Sequence, residues 1–150
     1  MALEWEQVLK DVISEVLETM FYAMVDFEQF EPWDHPFDYK SEIHLSNHEG
    51  RIVVSLQISE EFARMITADF LGIRQDQVKE DDIEDCMKEL ANMVGGGYHA
   101  RINDTTWQLG IPRAWKIEPG APDTDKDAAG LGFGFMGQSA GLARLIRSHA

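Results

Sequence analysis

The sequence of 150 residues contains a single cysteine, Cys86. Without a second thiol the chain can form neither an intramolecular disulfide framework nor a paired-cysteine zinc site, which predicts a reducing compartment, the cytoplasm. Basic side chains are scarce as well, with 13 Lys+Arg against 27 Asp+Glu, a formal charge of −14 with histidines neutral. That charge repels phosphate backbones and anionic bilayers, and the few basic residues are scattered, so no nucleic acid and no membrane surface is expected as a partner. The expected partner presents a basic surface. No apolar run approaches the ~20 residues that span a bilayer, and the opening MALEWEQVLKDV carries acids where a secretory signal needs a basic start. Hydrophobic residues, by contrast, make up 44% of the chain. A domain of this length buries about 70% of the surface its unfolded chain exposes, so residues 1–150 are read as one domain that needs no metal or disulfide to fold.

Trp5, Val8, Leu9, Val12, Ile13, Val16, Leu17, Met20, Phe21 and Met24 recur at helical spacing. They predict an amphipathic helix over about residues 4–25 whose Met and aromatic residues belong to the core. The stretch FEQFEPWDHPFD holds two prolines and reads as a loop over 27–38. YKSEIHLS and RIVVSLQIS, joined by NHEG, predict a β-hairpin over 39–59. Ser59 then caps a helix over about 60–71, with Glu60 and Glu61 at its positive end and Gly72 as its stop. A further acidic cluster, Glu80 to Asp85, opens a third helix with Ile83, Met87, Leu90 and Val94 on its buried face. Propensity ends that helix at Val94, because Gly95, Gly96 and Gly97 each cost about 1 kcal/mol relative to alanine. TWQLGIPRAWKI has strand-like alternation interrupted by Pro112, which places it at a sheet edge or breaks it there. EPGAPDTDKDAAG is a loop, and GLGFGFMG and GLARLIRS around QSA form a terminal hairpin or a hairpin strand and a helix. The whole is an α+β domain.

Asp85, Glu89 and Asn92 fall on one face of the third helix at about 100° per residue, opposite its apolar side. Exposed acids and an amide are ordinary helix decoration. Three features single these out. Asparagine is a weak helix former in mid-helix, small residues flank it, and a carboxamide beside a carboxylate offers a donor and an acceptor that can hold a water.

The segment DCMKELANMVGG, preceded by VLETMF in the first helix and SEIHLSNHEGRIVVSLQISEEFARMITADFLG in the middle, resembles the CheC/CheX/FliY family of chemotaxis phosphatases, closest to the CheX type. The order of these pieces over about residues 10–115 carries the resemblance, since a lone E-x-x-N would not. It implies an antiparallel β-sheet packed with long α-helices. It also implies hydrolysis of the aspartyl phosphate of a phosphorylated CheY-like receiver domain, with Asn92 orienting the water and Glu89 contacting the regulator. Mg²⁺ is then expected on the phosphorylated partner and no metal on this chain. Asp85, one turn before Glu89, is a docking acid. CheC-type members carry a second E-x-x-N in the first helix, where this chain has Glu15-Val-Leu-Glu18, so one site and a CheX-like homodimer are expected. The family's long helix runs past this point, which extends the third helix to about Ile102 despite the glycines. The Gly95-Gly96-Gly97-Tyr98 run also stands where the family usually has a Gly-Asn pair. An alternative keeps the fold without turnover: a binding module of a signalling or flagellar-switch complex.

Other patterns are weaker. Asp123, Asp125 and Asp127 imitate the start of a calcium loop, but Ala128 and Gly134 stand where glycine and a bidentate glutamate are required. Gly132-Phe-Gly134-Phe-Met-Gly137 matches a dinucleotide fingerprint with only 13 residues left after it, too few for a βαβ unit. His44 and His48 lie on a hairpin, and His35, His99 and His149 form no cluster. Cys86 is read as a half-buried, inert thiol.

Overall fold

A computed structural model of the chain describes residues 2–27 and 37–149. Among these residues three α-helices, α1 (Ala2–Phe21), α2 (Glu60–Leu71) and α3 (Glu80–Ile102), accompany six strands. The strands are β1 (Tyr39–Asn47), β2 (Gly50–Ile58), β3 (Gln108–Leu109), β4 (Arg113–Lys116), β5 (Gly130–Phe135) and β6 (Gln138–His149). They form one antiparallel sheet in the order β3-β1-β2-β6-β5, with β4 also paired to β1. The expected α+β architecture of an antiparallel sheet packed with long helices is the one observed.

Local chemistry accounts for most element ends. The Asn47 side-chain oxygen accepts the amides of Glu49 (2.8 Å) and Gly50 (3.2 Å), closing the β1–β2 turn. Ser59 Oγ accepts the Phe62 amide, and Gly72 takes the left-handed conformation that ends α2, both as predicted. The first helix ends earlier than its periodicity suggests. Tyr22 turns left-handed (φ 59°) and the Ala23 amide donates to the Leu17 carbonyl, so Phe21 is its last residue. Met20 and Met24, expected in the core, are exposed instead, whereas Phe21 is buried and stacks on Phe70 at 5.0 Å. Most of the predicted 27–38 loop lies outside the described residues.

The terminal segment is a hairpin of two strands, which decides against a terminal helix. Its turn is Met136-Gly137, both at positive φ, and QSA belongs to β6. Proline-containing TWQLGIPRAWKI does both things expected of it: it lies on the edge of the sheet against β1 and breaks into β3 and β4.

One sheet face carries Tyr39, Ser41, Ile43 and Leu45 of β1 and Ile52, Val54, Leu56 and Ile58 of β2 into the core beneath the helices. On the opposite face lie Lys40, Glu42, Ser55 and Arg144, their positions fixed by the pairing of Glu42 with Ser55 and of Ser55 with Arg144. The link from β4 to β5 must cross the sheet from one edge to the other, and its two ion pairs show the route. Asp125 holds Lys40 of β1 at 3.0 Å, and Asp123 holds the buried Arg144 of β6 at 2.9 Å. The acidic triplet that imitates a calcium loop thus spends two of its carboxylates strapping the loop across the sheet.

Candidate active site

The third helix runs through its glycines to Ile102, as the resemblance implies and propensity alone does not. A Cβ on Gly95 would stand 2.4 Å from Ile43 Cγ2, and one on Gly97 2.8 Å from Val12 Cγ1. These two glycines let α3 lie directly on β1 and α1, and the packing gained outweighs the helix propensity lost. Gly96 differs. Its Cβ would meet nothing nearer than Leu109 Cδ2 at 4.0 Å.

Ile83, Met87, Leu90 and Val94 are buried as predicted, together with Cys86, Ala91, Gly95 and Tyr98. Asp85, Glu89 and Asn92 are exposed on the other side of α3. At about 100° per residue Gly96 falls between Asn92 and Glu89 in azimuth, so the face reads as two polar side chains around a bare patch of helix. The helix is anchored at its start by Asp82, whose carboxylate accepts the Lys79 amide at 2.9 Å, and Glu80, Asp81 and Asp82 occupy its positive end. Near its other end His99 Nε2 donates to the Trp107 carbonyl at 2.7 Å, tying α3 to the segment that leads into β3.

Neither Glu89 nor Asn92 forms a hydrogen bond or an ion pair with another described residue, so both present their full capacity outward. Asp85 stands 4.0 Å from Lys88 Nζ, a loose exposed pair worth little. Together with Asp81, Glu84 and Ala114 of β4, these two residues line a polar hollow of about 330 Å³ beside the helix. The structure therefore brings the three sequence-predicted residues onto one surface. It adds the flanking strand segment 109–114, which nothing in the local sequence tied to that helix.

The equivalent stretch of α1 is occupied differently. Glu15 pairs with Arg101 of α3, and Glu18 is exposed beside it. Cys86 is fully buried, not half-buried as expected; burial pushes its thiol up to about 11, and a hydrogen bond with Thr67 only partly offsets this. Such a thiol is unreactive near neutral pH. His44 and His48 each stand near a glutamate of their own hairpin, and His35 lies outside the described residues. Among the described residues no group of three or more His, Cys, Asp or Glu side chains is arranged to hold a metal ion, and no helix is long and apolar enough to cross a membrane.

Solved structures share this fold across nearly the whole chain. A CheC-like superfamily protein from Shewanella sp. PV-4 superposes with a TM-score of 0.78 at 17% identity, covering 99% of each chain. The chemotaxis protein CheX from Vibrio vulnificus gives 0.76 at 17% identity, covering 97% of this chain and 99% of its own. A Borrelia burgdorferi structure described as a CheX-CheY-BeF3-Mg complex gives 0.63 at 10% identity over 95% and 97%. No curated protein sequence matches the chain. A family model described as chemotaxis phosphatase CheX, however, matches residues 43–136, which include β1 from Ile43 onward, β2, α2, the whole of α3 and the exposed Glu89 and Asn92. On that match, and on the shared fold, the chain belongs to the CheX family.

Proposed function

We propose that this protein dephosphorylates the aspartyl phosphate of a CheY-like receiver domain in chemotaxis signalling. The observation that carries the reading is the placement of Glu89 and Asn92, one turn apart, exposed and without partners among the described residues, on a helix whose other side is fixed in the core. Asn92 supplies both a carbonyl acceptor and an amide donor, enough to hold one water in a fixed orientation without carrying a charge that would repel the phosphoryl dianion. Attack joins the water oxygen to phosphorus and breaks the bond to the aspartate oxygen, releasing inorganic phosphate and the free carboxylate. The contribution of the chain is positioning, and the phosphorylated partner brings its own Mg²⁺. Glu89 pairs with a lysine of the receiver's active site, and Asp85 is a docking acid on the same face. A rigid α3 suits this role, because misplacing a positioned group by about 1 Å costs on the order of 100-fold in rate.

The test is phosphate loss from phosphorylated receiver domains with and without the protein; binding without acceleration would identify a non-catalytic module. Charge reversal examines the docking half separately. Glu89→Lys is expected to weaken receiver binding about tenfold at low salt, and the loss should shrink as added salt screens the exposed contact. Equal affinity of variant and parent at low salt would remove Glu89 from the interface.

We also propose a homodimer working in the cytoplasm beside its regulators. Residues 130–135 of β5 cover β6 only as far as Arg144, and an Asp26–Gly134 bridge lies on the outer side of β5. Leu145–His149 of β6 therefore pair with β2 alone among the described strands, leaving an open edge of the kind proteins pair or cover. Light scattering is expected to give twice the 17.0 kDa chain mass. A species of chain mass persisting at high concentration would refute the dimer and leave the phosphatase reading intact.

A further inference from the structure

Between β3 and β4 the edge segment carries one residue more than β1 does. Leu109 pairs with Leu45 and Arg113 with Glu42, so Gly110, Ile111 and Pro112 stand opposite only Ile43 and His44. The Gly110 amide still donates to the His44 carbonyl at 2.7 Å, which leaves Ile111 and Pro112 to absorb the extra length as a bulge. Ile111 is consequently 86% exposed. A large aliphatic side chain held out on a pinned backbone gains nothing from the fold of its own chain.

Its position along α3 can be read from its neighbours. Leu109 lies against Gly95 and Gly96, Ala114 lies in the hollow with Asp81, Glu84, Asp85 and Lys88, and Lys116 Nζ reaches Glu80 at 3.7 Å. The edge segment thus runs antiparallel to the helix. Two residues after Leu109 and three before Ala114, Ile111 comes level with the turn of α3 that carries Asn92. Asn92 is exposed on the outward face of α3, so a folded domain that delivers a phosphoryl group to its side chain also covers the adjoining edge segment.

We infer that Ile111 is an apolar docking contact for the receiver domain, seated against an apolar side chain beside that domain's phosphoaspartate pocket. The inference rests on the function proposed above and adds a specificity-determining element to it: acids on α3 meet the receiver's basic groups while Ile111 fills an uncharged recess next to them. Its role is in binding and not in the chemical step. Apolar burial gives it affinity, and the bulge fixes where that affinity is applied.

The experiment compares Ile111→Ser with Met136→Ser, a methionine equally exposed (86%) in the β5–β6 turn at the other end of the sheet. With phosphorylated receiver as substrate, Ile111→Ser is expected to raise KM about tenfold with kcat within twofold of the parent, Ile111→Leu to restore KM, and Met136→Ser to leave both unchanged. Titration of a receiver domain loaded with Mg²⁺ and beryllofluoride supplies a second readout independent of turnover. An unchanged KM and Kd in Ile111→Ser would overturn the inference while leaving the phosphatase reading in place. If the parent binds the loaded receiver without accelerating phosphate loss, the phosphatase reading fails. The docking contact is then judged by Kd alone, supported by a tenfold loss and overturned by none. A parent that binds no receiver overturns both.

Discussion

Asn92→Ala is expected to abolish stimulated phosphate loss from the receiver, a fall of 100-fold or more, while the domain stays folded. The two halves of this expectation have separate causes. Asn92 is exposed and bonded to no described residue, so its removal leaves no buried group unsatisfied, and alanine is the better helix former at a mid-helix position. Thermal stability should therefore hold or rise slightly. The rate should collapse because the alanine methyl can neither accept from nor donate to a water, and the water loses the orientation that made its attack effectively intramolecular. Single-turnover decay of the phosphorylated receiver, read beside a melting curve of the same preparation, checks both. Full activity in a folded Asn92→Ala protein would remove Asn92 from the reaction.

Asp123→Ala is expected to cost about 3 kcal/mol, the low end for stripping the counter-ion from a buried charge because the Asp123 side chain is itself 36% exposed. Arg144 is 2% exposed in the middle of β6, its Nη1 bonded to Asp123 at 2.9 Å and its Nε without a partner among the described residues. Ser55, directly opposite on β2, also has no partner for its buried hydroxyl among the described residues. A guanidinium so placed has nowhere to turn when its carboxylate is lost, and the Lys40–Asp125 pair still tethers the strap above it. For a domain of this size the loss corresponds to a fall of about 6–12 °C in Tm. Arg144→Met in the Asp123→Ala background should recover most of it, since deleting both charges removes the desolvation penalty along with the attraction. A Tm within about 2 °C of the parent for Asp123→Ala alone would show that the pair does not hold the strap.

These two positions sit at opposite ends of what the sequence discloses. Asn92 is visible because helical periodicity is a local property: the apolar Ile83, Met87, Leu90 and Val94 orient the helix, and the azimuth of every other side chain follows. The order of motifs around it then gives the family. Arg144 and Asp123 are invisible in the same sense. Their pairing spans 21 positions and depends on β6 lying inside the sheet and on the route of the link from β4. Read alone, Asp123, Asp125 and Asp127 look like a solvated acidic run.

Local chemistry in the chain determined the β1–β2 turn at Asn47, the Ser59 cap, the Gly72 stop, the break at Pro112 and the outward face of α3. Each depends on dihedral preferences and hydrogen bonds within a few residues, the range over which a sequence acts directly. Tertiary structure decided the rest. The third helix passes through Gly95–Gly97 because Ile43 and Val12, distant in the chain, approach its backbone and reward the missing side chains. The first helix stops short because Tyr22 turns left-handed while the chain goes on to place Ala23 in the core. Ile111 is turned out to solvent because an edge segment with one residue too many has to bulge against β1. All three are outcomes of packing between elements far apart in sequence, which local propensity does not contain.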